Sequence, residues 1–378
     1  MKRRKFLQIS AGLTGAAVAN GYLQPLAVAQ PEATPRPALT PKLETPRTTL
    51  TGHGGPVTSL AYSPDGQFLV SSAALLDARR AHIGGEVFVW DARTNALLVK
   101  LIEDAEAHLL FTPDGGTLVC AAMHWRDGAG TPDMQLWDSH GEPKQWQFRR
   151  SLKEANAAGA TAVSRDGKWL ATSGRDDGTD GLLLWDLAAR DLNADLKDQL
   201  GFVASIDFSP DGKQLLAVFW TTGANKKIAS VVEVYDVATL RLLHTNNLKQ
   251  MVTNLNFMPG DTDTVVGSRW LANEVQGSVQ LWDVASGEVR QTLDGPDTIF
   301  GLEFSPDRKH LAVACHRRHL GVTVNPPYAV EIYNVADWTL HQVIAAGRTV
   351  PEAMAYAPDG RTLATGGANH TVHLWAVT

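Results

Sequence analysis

The residues that look most like chemistry are His316-Arg317-Arg318-His319, two histidines flanking two arginines. Histidines three apart converge on a metal when they lie on a helix. Here they follow a strand-like run, Leu311 to Cys315, and neither a cysteine pair nor a carboxylate stands beside them to complete a shell. His82 and His124 fall in neighbouring stretches of the chain and could join only if the fold brings them across one face. Asp176-Asp177-Gly178 with Asp180 has the start of a calcium loop and lacks its remaining ligands. The chain carries no phosphate-binding glycine loop, no H-E-x-x-H and no G-x-S-x-G. Two cysteines, Cys120 and Cys315, make no disulfide framework. No catalytic residue, metal or cofactor is therefore assigned.

The chain has 378 residues and a formal net charge of −6. Residues 1–29 read as an export signal. Lys2 to Lys5 are basic, Phe6 to Ala19 form a mild apolar run diluted by Gly and Ala, and Ala27 and Ala29 supply an Ala-x-Ala cleavage site. Arg3-Arg4-Lys5-Phe6-Leu7 resembles the twin-arginine export motif, an ordinary secretory signal being the alternative. The expected location is exported, periplasmic or otherwise extracytoplasmic. Residues 30–45, with Pro31, Pro35, Pro37 and Pro41, read as an extended linker. No apolar run reaches the roughly 18 residues of a membrane-spanning helix. Cleavage after Ala29 removes four basic residues and no acid, leaving 30 Lys and Arg against 40 Asp and Glu, a net of −10. A nucleic-acid binder draws its affinity from neutralising phosphates, so that class is not expected.

What positions the His-Arg group is a repeat of about fifty residues. Ser63-Pro64-Asp65-Gly66 recurs at Ser209 to Gly212. Variants stand at Thr112 to Gly115, Ser164 to Gly167, Ser305 to Asp307 and Ala357 to Gly360, with a worn copy at Met258-Pro259-Gly260. Each sits between two alternating apolar runs, so each is the turn of a hairpin. A second mark keeps phase with the first: Trp90-Asp91, Trp137-Asp138, Trp185-Asp186 and Trp282-Asp283, degraded to Tyr235-Asp236, Tyr333-Asn334 and Trp375-Ala376. Each ends a strand-like run and is followed by a weaker one, making four short strands per unit.

These marks resemble the WD-repeat β-propeller family from Pro46 to Thr378, although Gly52-His53 supplies the family's Gly-His pair only once. The resemblance implies an all-β domain spanning residues 46–378, a seven-bladed propeller of four-stranded antiparallel blades. The tryptophans of the marks are then packing anchors. The last unit stops after its third strand, and Arg47 to Thr51 reads as a lone strand. Its pairing with the last blade would close the ring, a monomer by expectation, and cover an open edge. Cys120 and Cys315 fall on second strands three blades apart, too distant to bridge. His108 and Asn254 occupy matching places in first strands, near the axis, where a structural role is expected.

The connection from second to third strand is long in six units and short only in the last, at Gly367 to His370. All such connections share one face. They read as loops rich in the residue types that anchor interfaces: Arg79, Arg80, His124, Trp125, Arg126, Trp220, Arg269, Trp270, His316, Arg317, Arg318, His319 and Tyr328. Their charges nearly cancel, against a strongly acidic remainder. The expected function is an exported, non-catalytic interaction module that holds a protein or peptide there. The alternative is an enzyme or a small-ligand or metal binder at the channel mouth on the same face.

Overall fold

The computed structural model describes residues 45–126, 129–152, 160–174, 181–189, 191–196, 201–222, 228–248, 250–270, 277–293, 298–319 and 322–378. The segment read as an export signal and most of the proline-rich segment read as a linker lie outside them. The described residues form seven four-stranded antiparallel sheets. Blade I comprises Val57–Tyr62, Phe68–Leu76, His82–Asp91 and Leu97–Ile102. Blades II to VI repeat that order, and blade VII takes Pro351–Tyr356, Thr362–Gly367 and Val372–Ala376 with Thr48–Leu50 as its outer strand. Thr48 pairs with Leu374 and Leu50 with Val372, so the ring closes as the sequence implies.

The core is divided. Seven apolar clusters each lie between neighbouring blades, because a strand alternates its side chains and the two faces of one sheet serve two different cores. At the closing junction Leu50, Val57, Leu69, Phe88 and Trp90 meet Val372 and Leu374. Each such side chain contributes about 1.5–3 kcal/mol on burial. Cys120 and Cys315 are free and fully buried.

Both sequence marks have local causes. In the first turn a hydroxyl donates to the aspartate two residues on: Ser63 to Asp65 at 2.6 Å, Thr112 to Asp114 at 2.6 Å, Ser209 to Asp211 at 2.7 Å. That bond holds Asp114, Asp166, Asp211 and Asp307 below the usual carboxylate range. The glycine takes positive φ, 71° at Gly66. At four junctions around the ring the proline of one turn lies beside the glycine of the next. A Cβ on Gly66 would lie 3.8 Å from Pro358, one on Gly115 3.4 Å from Pro64, one on Gly167 3.5 Å from Pro113 and one on Gly360 3.9 Å from Pro306. Gly212, which follows the unit carrying Arg165 in place of proline, has nothing within 4 Å, and neither has Gly260.

The ring that ends each third strand is an anchor with one polar atom to satisfy. Three blades use a hydroxyl on the second strand: Trp90 Nε1 donates to Ser71 (2.8 Å), Trp185 to Thr172 (3.0 Å) and Trp375 to Thr365 (2.8 Å). Three use a side chain two residues earlier on the same strand. Trp137 donates to Gln135 (3.0 Å), Tyr333 to Glu331 (2.6 Å) and Tyr235 to Glu233. In blade V the matching second-strand position is Gly267, and Trp282 Nε1 has no partner. A Cβ there would lie 2.8 Å from Leu255, so no hydroxyl-bearing residue fits.

Candidate functional site

In four of the six units the described residues of the long connection are strand rather than loop. The second and third strands keep pairing beyond the body of the blade, to Leu76 and His82 in blade I, Arg126 and Ala129 in blade II, Thr222 and Ile228 in blade IV, and His319 and Val322 in blade VI. An antiparallel ladder pairs the backbone groups of alternate residues between its two strands, which an irregular excursion of the same length does not. His124, Trp125 and Arg126 are therefore strand residues of Thr117–Arg126, Trp220 of Gln214–Thr222, and Arg269 and Trp270 of Thr264–Trp270. His316, Arg317, Arg318 and His319 end the strand His310–His319, and Tyr328 lies on Val322–Asn334. Of the candidates only Arg79 and Arg80 sit in a turn. The side chains of Arg126, Trp270, Arg317, Arg318 and His319 fall outside the described residues, as do residues 175–180 with the calcium-like aspartates.

Four groups stand on this crown of hairpins. At the tip of blade I, Asp77 Oδ1 accepts from the N–H groups of Arg79 and Ala81, both at 2.8 Å, and holds Arg79 and Arg80 exposed, Arg80 at φ 63°. Between blades I and II, His82 stacks on Trp125 at 4.5 Å, and Trp125 Nε1 donates to Glu106 Oε1 (3.1 Å). His82 Nδ1 lies 3.2 Å from the same oxygen, off the line of a hydrogen bond. Burial pushes the Glu106 carboxyl up, against the opposing pull of His82 and Trp125. His124 lies between Asp104 (3.4 Å) and Asp133 (3.5 Å). On blade IV, Trp220 donates to the Val252 carbonyl (2.9 Å) while Phe202, 40% exposed, leans on its ring at 5.6 Å. On blade VI, His316 meets Tyr328 edge-on at 5.2 Å, with Phe300 6.0 Å beyond. Arg269 is half-buried on blade V and pairs with Ser278.

Phe202, Phe300, Glu106, Asp104 and Asp133 were not legible as crown residues. Phe300 is the extra residue of an irregularity between Ile299 and Gly301, matched by Thr58, Ala204 and Glu352 in three other first strands. The break in apolar alternation was the only signal.

The innermost strands carry further titratable groups. His108 bonds Thr161 of the next blade at 3.0 Å, and desolvation draws its pKa down. Asp207 accepts the Phe257 N–H at 2.8 Å, yet burial pushes its carboxyl up to about 7, and burial does the same to Glu303. Asn254 takes φ 50° within an irregular first strand. Among the described residues, no three His, Cys, Asp or Glu side chains are grouped to hold a metal. On the opposite face a groove of about 370 Å³ lies between blades VII and I, lined by Arg47, Tyr62, Asp65 and Asp359.

Blade I contains an arrangement with the connectivity of a nucleophile relay. Trp90 Nε1 donates to Ser71, Ser71 lies 2.6 Å from His53 Nε2, and His53 Nδ1 lies 3.0 Å from Glu86, which also accepts the Gly54 N–H. Ser71 is fully buried and its oxygen already accepts a bond. The network is structural. It locks the entry to blade I against the second and third strands.

The family described as WD domain, G-beta repeat matches residues 44–91 and 346–376. Those segments are blade I with the closing strand, and blade VII. The chain is a seven-bladed β-propeller that carries WD repeats in these two blades. The match falls on the two blades that the termini join, where the propeller keeps its full His53-Ser71-Trp90 network and its one short second-to-third turn. No helix among the described residues of the propeller is long and apolar enough to cross a membrane.

Proposed function

We propose that this propeller is an exported, non-catalytic interaction module that holds a protein or peptide on its crown. The observation that carries the reading is the extension of four hairpins toward one face, each bearing aromatic or arginine side chains left exposed or half-buried. Rigid strands present such anchors with little ordering cost, as interfaces require. Propellers of this kind commonly serve as interaction platforms. The purified mature protein, used to capture partners from the extracytoplasmic fraction, tests it. Trp125→Ala with Phe202→Ser should lose the partner, while Phe148→Ser on the outer edge of blade II should keep it. Retention by the crown variant would overturn the assignment of the face.

The basic start, Arg3-Arg4 and the Ala27-x-Ala29 site support export by the twin-arginine route, which carries folded proteins. Replacing Arg3 and Arg4 by Lys should leave the unprocessed chain in the cytoplasm. Unimpaired export would point to the general secretory route.

A second reading is small-ligand binding or acid–base chemistry at the channel mouth. It is favoured by two imidazole–carboxyl pairs, His82 with Glu106 at 3.2 Å and His124 with Asp133 at 3.5 Å.

A further inference from the structure

We infer that the docking groove of the crown is the notch over blade VII, and that it takes an extended acidic segment of a partner protein with an aromatic or aliphatic side chain seated against Tyr328. This deepens the binding-face reading and rests on it.

The notch follows from strand lengths. Second strands run for 9 residues in blade I and 10 in blade VI, but for 6 in blade VII, whose pairing stops at Gly366 and Val372. At about 3.3 Å per residue the neighbours stand roughly 10 Å higher. The gap between them is two sheet spacings, about 20 Å, which admits an extended chain and excludes a folded domain. Its floor is the turn at Gly367 to Thr371, with Asn369 and His370 exposed.

The walls have a defined chemistry. In blade VI the residues packed against blade VII are Ala312, Val330 and Ile332. His316 and Tyr328 share their strand parity and face each other across the ladder, so both are presented on the blade VII side. Tyr328 is half-buried and Phe300 supports it from below. The other wall ends in the Asp77-braced turn with Arg79 and Arg80, and Arg348 is exposed on the connection from blade VI to blade VII. Among the described residues none of these three arginines forms an ion pair. Arg317 and Arg318 stand, by sequence, on the blade VI hairpin. Against Arg79, Arg80 and Arg348, the described borders of the notch hold Asp77, occupied by backbone N–H groups, and Glu352, on the innermost strand. A cationic groove on a chain whose mature net charge is −10 selects an anionic ligand, and its aromatic wall selects a peptide over a bare anion.

The test uses the mature protein and two fluorescent decapeptides, one of alternating Asp and Glu around a central Trp, the other with Lys at each acidic position. Fluorescence anisotropy should show saturable binding of the acidic peptide alone, weakening as salt rises. Arg79→Glu with Arg80→Glu should weaken it at least about tenfold. Tyr328→Ala should weaken it at low and high salt alike. Lengthening the blade VII turn by three residues after Asn369 should abolish it, with walls unchanged and thermal unfolding as in the parent. Phe148→Ser, on the outer edge of blade II, should have no effect. Equal binding of both peptides, or none, overturns the acidic-segment inference. Full-strength binding of the acidic peptide by all three notch variants overturns the notch and leaves the crown as a binding face.

Discussion

A mature chain shortened to begin at Gly52 should unfold on the order of 10 °C below the intact one and should aggregate on heating. The cut spares His53 and removes only the strand Thr48–Leu50 with the residues before it. That strand supplies a ladder to Val372–Ala376, the bond from Arg47 N–H to the Leu374 carbonyl at 2.8 Å, and the buried side chain of Leu50. One apolar side chain and several backbone bonds amount to about 3–5 kcal/mol, and a domain of this size shifts by about 2–4 °C or less per kcal/mol. The larger consequence is topological: the last blade is left with an unpaired edge that accepts strands from other molecules. Differential scanning calorimetry with light scattering measures both. Equal unfolding temperatures would mean that the seven blades close without this strand.

Ser71→Ala should cost about 3 kcal/mol although it deletes a single oxygen. It leaves the Trp90 N–H and His53 Nε2 buried together without a partner, and an orphaned buried polar group costs about 1–3 kcal/mol. Thr172→Val in blade III, which orphans only Trp185, should cost less. His53 adds a pH dependence. Burial holds its pKa below the ordinary 6.5, with Glu86 pulling the other way, so the unfolded chain takes up the proton more readily than the folded one. The stability tied to neutral His53 is thus present above about pH 6.5 and is lost as pH falls below it. His53→Gln should be less stable than the parent at pH 8, and the gap should narrow toward pH 5. A constant gap in chemical denaturation would show that His53 takes up its proton equally in the folded and unfolded chains.

The fold was legible because its marks are local. A hydroxyl two residues from an aspartate makes the turn, a buried ring ends the third strand, and both recur in phase, so blade number and ring closure could be read from Ser63 to Trp375 without tertiary information. The crown was less legible. Gly, Pro and charged residues in Ala74–Glu86 and His316–Ala329 looked like loop composition, while the structure keeps those segments paired, because ladder bonding outweighs weak strand propensity once the hairpin has started. Glu106 reads as an ordinary strand residue, and Asp133 only as the end of the long connection Met123–Asp133. Their meeting with His82 and His124 depends on two blades lying side by side, a distance that spacing along one chain does not encode.

The turns on the face away from the crown differ in how much change they tolerate. At four successive junctions, from blade VI through VII, I and II to III, a side chain added at the turn glycine would meet the proline of the preceding turn within 4 Å, whereas Gly212 and Gly260 have nothing within that distance of an added Cβ. Blades IV and V are joined instead by their apolar core and by bonds such as Trp220 to the Val252 carbonyl and the Phe257 N–H to Asp207. Room for a longer or bulkier turn is therefore uneven around the ring: scarce where the chain closes it and ample at blades IV and V.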